Sequence, residues 1–205
     1  MKKLLIATHN PGKKKEIVEF LSTFPVKLLT LSDVDITADV VEDGKTYLEN
    51  SLKKAVFYAD LSGLPAIADD GGLEIDHLGG EPGIHSRRWL GYTATDEELM
   101  DHIQKVSLEL PDNKRTAKFV TVVTLALPSG KTWSKKGVVE GIIAKKPLLK
   151  KSKGYPYRSF FFLPELNKYY FETELTQEEK QKYNHRKIAI NQLLNTLKKE
   201  ILEEN

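Results

Sequence analysis

The order of apolar and amphipathic segments predicts an α/β fold, a mixed sheet with helices on its faces. Three observations carry that expectation. Short apolar runs at 4–7, 66–68, 119–127 and 160–163 alternate with stretches of helical period. Thr-x-x-Glu capping boxes at Thr46, Thr95 and Thr176 each announce a helix start. Hydrophobic residues form 40% of the 205 and charged residues 29%, enough apolar chain for one substantial core or two lobes.

In order, Leu4, Leu5, Ile6 and Ala7 read as a buried strand halted by Asn10, Pro11 and Gly12. The next helix carries Ile17, Phe20, Leu21 and Phe24 on one face, with Lys13, Glu16 and Glu19 off it, and Pro25 ends it. From Thr46 a helix places Leu48, Leu52, Ala55, Val56 and Ala59 at helical spacing until Gly63 and Pro65. Ala66, Ile67 and Ala68 form a strand that runs into Asp69-Asp70-Gly71-Gly72, followed by a second strand-like piece over 73–75. Residues 79–94 hold five turn formers and no period, which predicts a long ordered loop. The box at Thr95 opens a helix to about Leu108. The run 119–127 is apolar or β-branched on both faces, so it predicts a central strand, and Ser129-Gly130 turns it to an antiparallel partner over 132–139. A strand over 160–163 stops at Pro164, and the last helix runs from Thr176 towards Glu204, re-nucleated at Asn184. No repeat or linker divides residues 1–205, which read as a single module.

Charge and composition exclude several classes. Lys and Arg number 31 against 29 acids, a net charge of +2, unlike a protein that coats nucleic acid. Only five of the bases are Arg. The absence of cysteine excludes a disulfide scaffold, a thiolate zinc site and a cysteine nucleophile, and fits a reducing compartment. The start offers no signal-peptide core, and no segment can span a membrane, so the expectation is a cytoplasmic protein without membrane or nucleic-acid partner.

Four constellations can carry chemistry. Thr8-His9-Asn10-Pro11-Gly12-Lys13 lies between a strand and a helix N-terminus, where a hydroxyl, an amide and an ammonium suit phosphate oxygens. An ordinary βα turn with a solvated lysine is an equal alternative. Asp69-Asp70 stand at a strand end, where adjacent carboxylates are costly unless a cation or a proton separates them. Mg²⁺ is the natural partner, with Glu42 as a further ligand, and an Asp-Gly turn with exposed acids is the alternative. Asn50 and Lys54 are neighbours on one helix face, where Lys54 meets either an acid, a phosphate or solvent. His185-Arg186, one turn or so after Lys180, suits a purine edge or a phosphate, although such a pair is commonly surface. The lysines at 145, 146, 150, 151 and 153 have one aromatic residue, Tyr155, nearby and read as a solvated loop.

Together these segments resemble the inosine/xanthosine triphosphate pyrophosphatases. The run from Leu5 to Lys13 is similar to that family's (S/T)xNxxK motif, and Glu42 to Asn50 with Lys54-Ala55 to its E-x-G-x-T-F-x-E-N-A-x-x-K-A segment. Pro65 to Asp76, then Leu78 to Ser86, resembles P-A-x-A-D-D-S-G-L-x-V-D-x-L-G-G-x-P-G-x-x-S, the most specific stretch. Glu174-Leu175-Thr176, Glu179-Lys180 and His185-Arg186 resemble A-E-L-T-x-E-E-K-x-x-x-S-H-R.

The resemblance implies a two-lobed α/β fold on an elongated, twisted mixed sheet, a central nucleotide cleft, Mg²⁺ (Mn²⁺ as the alternative) and a homodimer. It implies hydrolysis of non-standard purine nucleoside triphosphates to a monophosphate and pyrophosphate. By position, Thr8, Asn10, Lys13 and Lys54 hold phosphate. Glu42, Asp69 and Asp70 form the metal set, and Asp70 is the general base. Tyr155, Tyr157, Lys180, His185 and Arg186 are assigned to the base. Two departures alter the base site. Gly71 stands where the family has serine, and Arg158 stands for the aspartate of G-F-G-Y-D-P-x-F-F-x-P, with Pro156 and Ser159 replacing Gly and Pro. These departures motivate two alternatives, a pyrophosphatase for another modified or pyrimidine nucleotide and a non-catalytic nucleotide-binding relative.

Overall fold

A computed structural model describes residues 1–148 and 150–203, so Glu204, the expected end of the last helix, lies outside the described residues. The strands are β1 (Lys3–Ile6), β2 (Lys27–Thr30), β3 (Ala66–Ile75), β4 (Thr116–Ala126), β5 (Thr132–Ile143), β6 (Phe161–Leu163) and β7 (Lys168–Tyr169). The helices are α1 (Pro11–Phe20), α2 (Tyr47–Ser62), α3 (Asp96–Glu109), α4 (Gln177–Lys182) and α5 (His185–Leu197). One sheet runs in the order β2-β1-β3-β4-β5-β6-β7. β1 pairs in parallel with β2 and β3, whereas β6 pairs antiparallel with β5 and β7, so the sheet is mixed as expected.

The described residues fall into two compact units. The first comprises Met1–Asp70, Thr121–Gly137 and the chain from Arg186 on; the second comprises Gly71–Val120 and Val138–His185. Within the first unit, strand alternation builds two cores. Leu4, Ile6, Ile67, Val123 and Leu125 point to one face, where Ile17 and Phe20 of α1, Leu21 just after it, and Ala189, Ile190, Leu193 and Leu197 of α5 cover them. Leu5, Ala7, Ala66, Ala68 and Ala126 point to the other, against Ala55, Tyr58 and Ala59 of α2. Small residues on that second face let α2 lie close to the strands.

Several expected elements take a different form. β3 is continuous from Ala66 to Ile75, so Asp69-Asp70-Gly71-Gly72 is strand and not turn. The glycine at 72 serves a close approach instead. A Cβ there would collide with Ser86 Oγ and the Gly83 carbonyl. Ser86 Oγ accepts from Leu73 N at 3.0 Å and donates to Gly83 O at 2.7 Å, stapling this part of the 79–94 loop to the strand. α1 ends at Phe20, five residues before Pro25, where Leu21 N donates to Ile17 O. The boxes at Thr95 and Thr176 are reciprocal, but Glu49 accepts from Lys45 N at 2.6 Å and leaves the Thr46 box one-sided. The final helical stretch is two helices, α4 and α5, and their break at Tyr183-Asn184 falls where the re-nucleation at Asn184 is expected. β2 and β7 are short additions to the sequence expectation.

Gly72→Ala is expected to lower stability by about 1–3 kcal/mol through this overpacking, read as a lower urea midpoint; an unshifted midpoint would contradict the close approach.

Candidate active site

The pleat of β3 decides where the paired aspartates go. Successive side chains on a strand point to opposite faces. Asp69 follows Ile67 towards α1 and α5, and Asp70 follows Ala68 towards α2. The two carboxylates are therefore parted by the backbone itself.

Asp69 is 1% exposed, and its charge is met by cations on two helices. Arg186 at the start of α5 donates to Asp69 Oδ2 through Nε (3.0 Å) and Nη2 (2.8 Å), and through Nη1 to Glu16 of α1. Lys13 Nζ lies 3.2 Å from the same Oδ2. Burial works against the Asp69 charge, but Arg186, then Lys13 and Lys54, outweigh it and hold the carboxyl well below its usual range. Asp69 Oδ1 is buried without a hydrogen-bond partner. Glu16, expected off the buried face, is buried because Arg186 draws it in.

Asp70 is 7% exposed on the α2 side. Asn50 Nδ2 donates to Asp70 Oδ2 at 3.0 Å, and Asn50 Oδ1 accepts from Gly44 N at 2.8 Å. One amide thus fixes both the acid and the loop that carries Glu42. A Cβ on Gly44 would stand 2.6 Å from Asn50 Oδ1, so this approach needs glycine. Lys54 Nζ donates to Glu42 Oε2 at 3.1 Å and lies 3.6 Å from Asp70 Oδ1. Burial alone would lower the Lys54 pKa, but Asp70, Glu42 and Asp69 together raise it, so the ammonium stays charged.

The strand–helix turn at 8–13 is built by its own side chains. Asn10 Oδ1 caps α1 by accepting from Gly12 N (2.9 Å) and Lys13 N (3.1 Å), and Thr8 Oγ1 accepts from Asn10 N at 3.2 Å. The cap uses two amides that an anion would otherwise take, leaving the helix dipole and Lys13 as the attraction. Thr8, Asn10, Lys13, Glu42, Lys54, Asp69, Asp70 and Arg186 all belong to the first unit.

The second unit gathers a separate aromatic cluster. The Arg158 guanidinium carbon lies over the Tyr155 ring, 3.6 Å from its centroid, and 4.9 Å from that of Tyr170. Tyr170 Oη and His185 Nδ1 are 3.1 Å apart, and His185 stacks on Phe119 at 5.2 Å. Tyr155, Arg158 and His185 are thus brought together through Tyr170. Tyr157 is turned to a structural task, donating its hydroxyl to the Ser86 carbonyl. Gly71 contributes backbone, and Lys180 stands half-buried on α4; no contact described links it to the cluster.

The sequence model of the Ham1 family matches residues 4–196. The chain belongs to the Ham1 family. It is 42% identical over 196 residues to a dITP/XTP pyrophosphatase of Thermus thermophilus, covering 96% of this chain and 92% of that one. A solved HAM1 protein from Coxiella burnetii matches with a TM-score of 0.81 at 33% identity, covering 96% and 98% of the two chains. The Staphylococcus aureus Ham1 protein matches with a TM-score of 0.79 at 32% identity, covering 97% and 100%.

In this Ham1-family chain Glu16, Thr121 and Tyr170 join the site without having been singled out from sequence. Thr121 Oγ1 donates to the Asp70 carbonyl at 3.0 Å, with Asp69 Oδ2 at 3.3 Å. Glu16 reads as off the apolar face because helical periodicity does not register a buried ionic partner such as Arg186. Tyr170 carries no sequence signal either.

Asp69→Asn is expected to cost about 3 kcal/mol at pH 7, because it leaves a buried arginine short of its charge. The folded pKa of Asp69 lies below the unfolded one, so its contribution is present above about pH 4 and fades as pH falls towards the folded value. Urea unfolding should therefore show the gap between the two proteins narrowing below that pH; a constant gap from neutral pH to pH ~3 would contradict the assignment.

Proposed function

We propose that this chain hydrolyses non-standard purine nucleoside triphosphates of the dITP/XTP kind to the monophosphate and pyrophosphate. A relative that is 42% identical over nearly the whole chain bears the name dITP/XTP pyrophosphatase, which supports this reaction. The observation that carries the reading is Asp70. It is a nearly buried carboxylate oriented by Asn50, beside a lysine that links it to Glu42, while its neighbour Asp69 is committed to Arg186 on the opposite face.

In the proposed reaction Asp70 takes the proton of the attacking water. Lys13 and Lys54 bring full positive charges to the triphosphate, Thr8 and Asn10 shape the turn at the α1 N-terminus, and Asn50 keeps the Asp70 carboxylate aimed. Lys54, held between Glu42 and Asp70, is the buried cation proposed to meet a phosphate oxygen. Gly71, Tyr155, Tyr157, Arg158, Lys180, His185 and Arg186 are the residues proposed for the base, with Arg158 and Gly71 giving that subsite a different chemistry from the family motif. Arg186 is already engaged by Asp69 and Glu16, bonds that compete with any contact to the base.

A divalent cation, Mg²⁺ with Mn²⁺ as the alternative, fits the donor set. Glu42 and Asp70 offer carboxylate oxygens on the α2 side, whereas Asp69, also proposed for the metal, turns its buried Oδ1 to the opposite face of β3 and would have to serve separately. Among the described residues no group of three His, Asp or Glu side chains is placed to hold a metal. Mg²⁺ commonly rests on one or two carboxylates plus substrate phosphates and water. Such an ion would neutralise charge on the phosphate oxygens.

We further propose that the chain acts as a single module and as a homodimer in the cytoplasm, with a nucleotide as its partner and neither membrane nor nucleic acid. No helix among the described residues is long and apolar enough to cross a membrane. Lys145, Lys150 and Lys151 are paired with Asp112, Glu174 and Glu97, which supports a solvated loop over a nucleic-acid patch.

Asp70→Asn should reduce pyrophosphate release from dITP and XTP by roughly 10²–10⁴-fold in kcat while the circular-dichroism spectrum is kept. An undiminished rate, or no release by the unaltered protein with Mg²⁺ or Mn²⁺ present, would overturn the reading.

A further inference from the structure

We propose that His9 and Tyr58 are positioning residues for Glu42, an inference that rests on the metal reading above and extends it to the segment that carries this acid. Residues 38–44 form neither helix nor strand. Without a ladder of backbone hydrogen bonds, their path is set by the side chains that hold them. Three of those side chains stand at four-residue intervals on one face of α2. Tyr58 Oη donates to Ala38 O at 3.1 Å, with Asp39 Oδ1 at 3.3 Å. Lys54 Nζ donates to Glu42 Oε2 at 3.1 Å, and Asn50 Oδ1 accepts from Gly44 N at 2.8 Å. The segment is thus strapped along the helix from Tyr58 back to Asn50, with Glu42 between the two outer ties.

The tie at Ala38 is double and reaches a third element. His9 Nε2 lies 3.1 Å from the same carbonyl oxygen, and since a carbonyl only accepts, that nitrogen carries the proton. The two lone pairs of one oxygen serve both donors. The exposed His9 ring also meets the buried Tyr58 ring edge-on, with centroids 6.1 Å apart. His9 stands between Thr8 and Asn10, the residues proposed to shape the phosphate turn, so the strap is pinned to that turn as well as to α2. The Lys54–Glu42 pair cannot fix the segment alone, because an ammonium on a flexible four-carbon stem follows a carboxylate that moves. The backbone ties at Ala38 and Gly44, on either side of Glu42, set where its carboxylate stands. A carboxylate ordered in advance by its surroundings holds a cation more tightly than one that must be ordered on binding.

The test uses His9→Ala, His9→Gln and Tyr58→Phe, the last of which keeps the buried ring and loses only the hydroxyl. Hydrogen exchange of the metal-free proteins should show the Val40 and Gly44 amides opening about three- to tenfold faster in His9→Ala and Tyr58→Phe, the effect of one lost hydrogen bond. The Ala7 amide, bonded to Ile67 O, should be unmoved. His9→Gln, whose terminal amide presents a donor at similar reach, should return to the unaltered rates. Binding of Mn²⁺ alone, followed by electron paramagnetic resonance, should weaken by a similar factor in the first two variants and recover in His9→Gln. Unchanged exchange at 40 and 44, unchanged Mn²⁺ affinity despite faster exchange, or equal acceleration at Ala7 would each overturn the positioning role. No Mn²⁺ uptake by the unaltered protein would instead overturn the metal reading of Glu42, and the exchange rates would still decide whether His9 and Tyr58 hold the segment.

Discussion

The site depends on the alternation of one strand. A carboxylate at 1% exposure survives only with opposite charge in direct contact, because burial of a lone ion costs far more than a domain can spare. β3 sends Asp69 to the face shared by α1 and α5, and three groups from those helices converge there: Lys13, Glu16 and Arg186. The arginine joins Asp69 on β3 to Glu16 on α1 from the first turn of α5, so the pair is also a tie between three elements far apart in sequence. Thr121 adds β4 to the same knot through the Asp70 carbonyl.

With Asp69 committed, Asp70 is released for other chemistry on the opposite face. Its surroundings are arranged by a single amide. Asn50 donates to the acid and accepts from the backbone of Gly44, so the loop bearing Glu42 cannot shift without disturbing Asp70. Lys54 lies one turn along α2 from Asn50 and joins the same two acids. The result is a cation poised between two carboxylates, kept charged by them against its own burial. Two acids and one ammonium in contact are the arrangement on which the proposed handling of a polyphosphate and a hard cation rests.

Much of this could be read in the chain. The α/β order, the capped helices and the positions of Asp70, Lys54 and Glu42 followed from periodicity, capping boxes and motif spacing, since those signals are local. What escaped is what depends on pairing across the sheet. Asp69-Asp70-Gly71-Gly72 has the composition of a turn, yet ladder hydrogen bonds and the close approach of Ser86 keep it extended. Adjacent acids suggested mutual repulsion relieved by a cation, whereas the pleat separates them before any cation is needed. Arg186 was expected at the base, but the bonds it makes to Asp69 and Glu16 arise from helix packing that a linear motif cannot express. Tyr170 entered the Arg158 cluster in the same way, through its place beside Phe119 and Phe161.

The division of labour between the two aspartates is tested most directly by following the carboxyl carbon of Asp69 by NMR through an acid titration of the metal-free protein. The account requires the Asp69 resonance to keep its ionised position through the pH range where ordinary carboxylates, at about 4, take up protons. A resonance that titrates at that ordinary value would contradict it, because Asp69 would then not be the fixed anion on which Arg186 and Lys13 are organised.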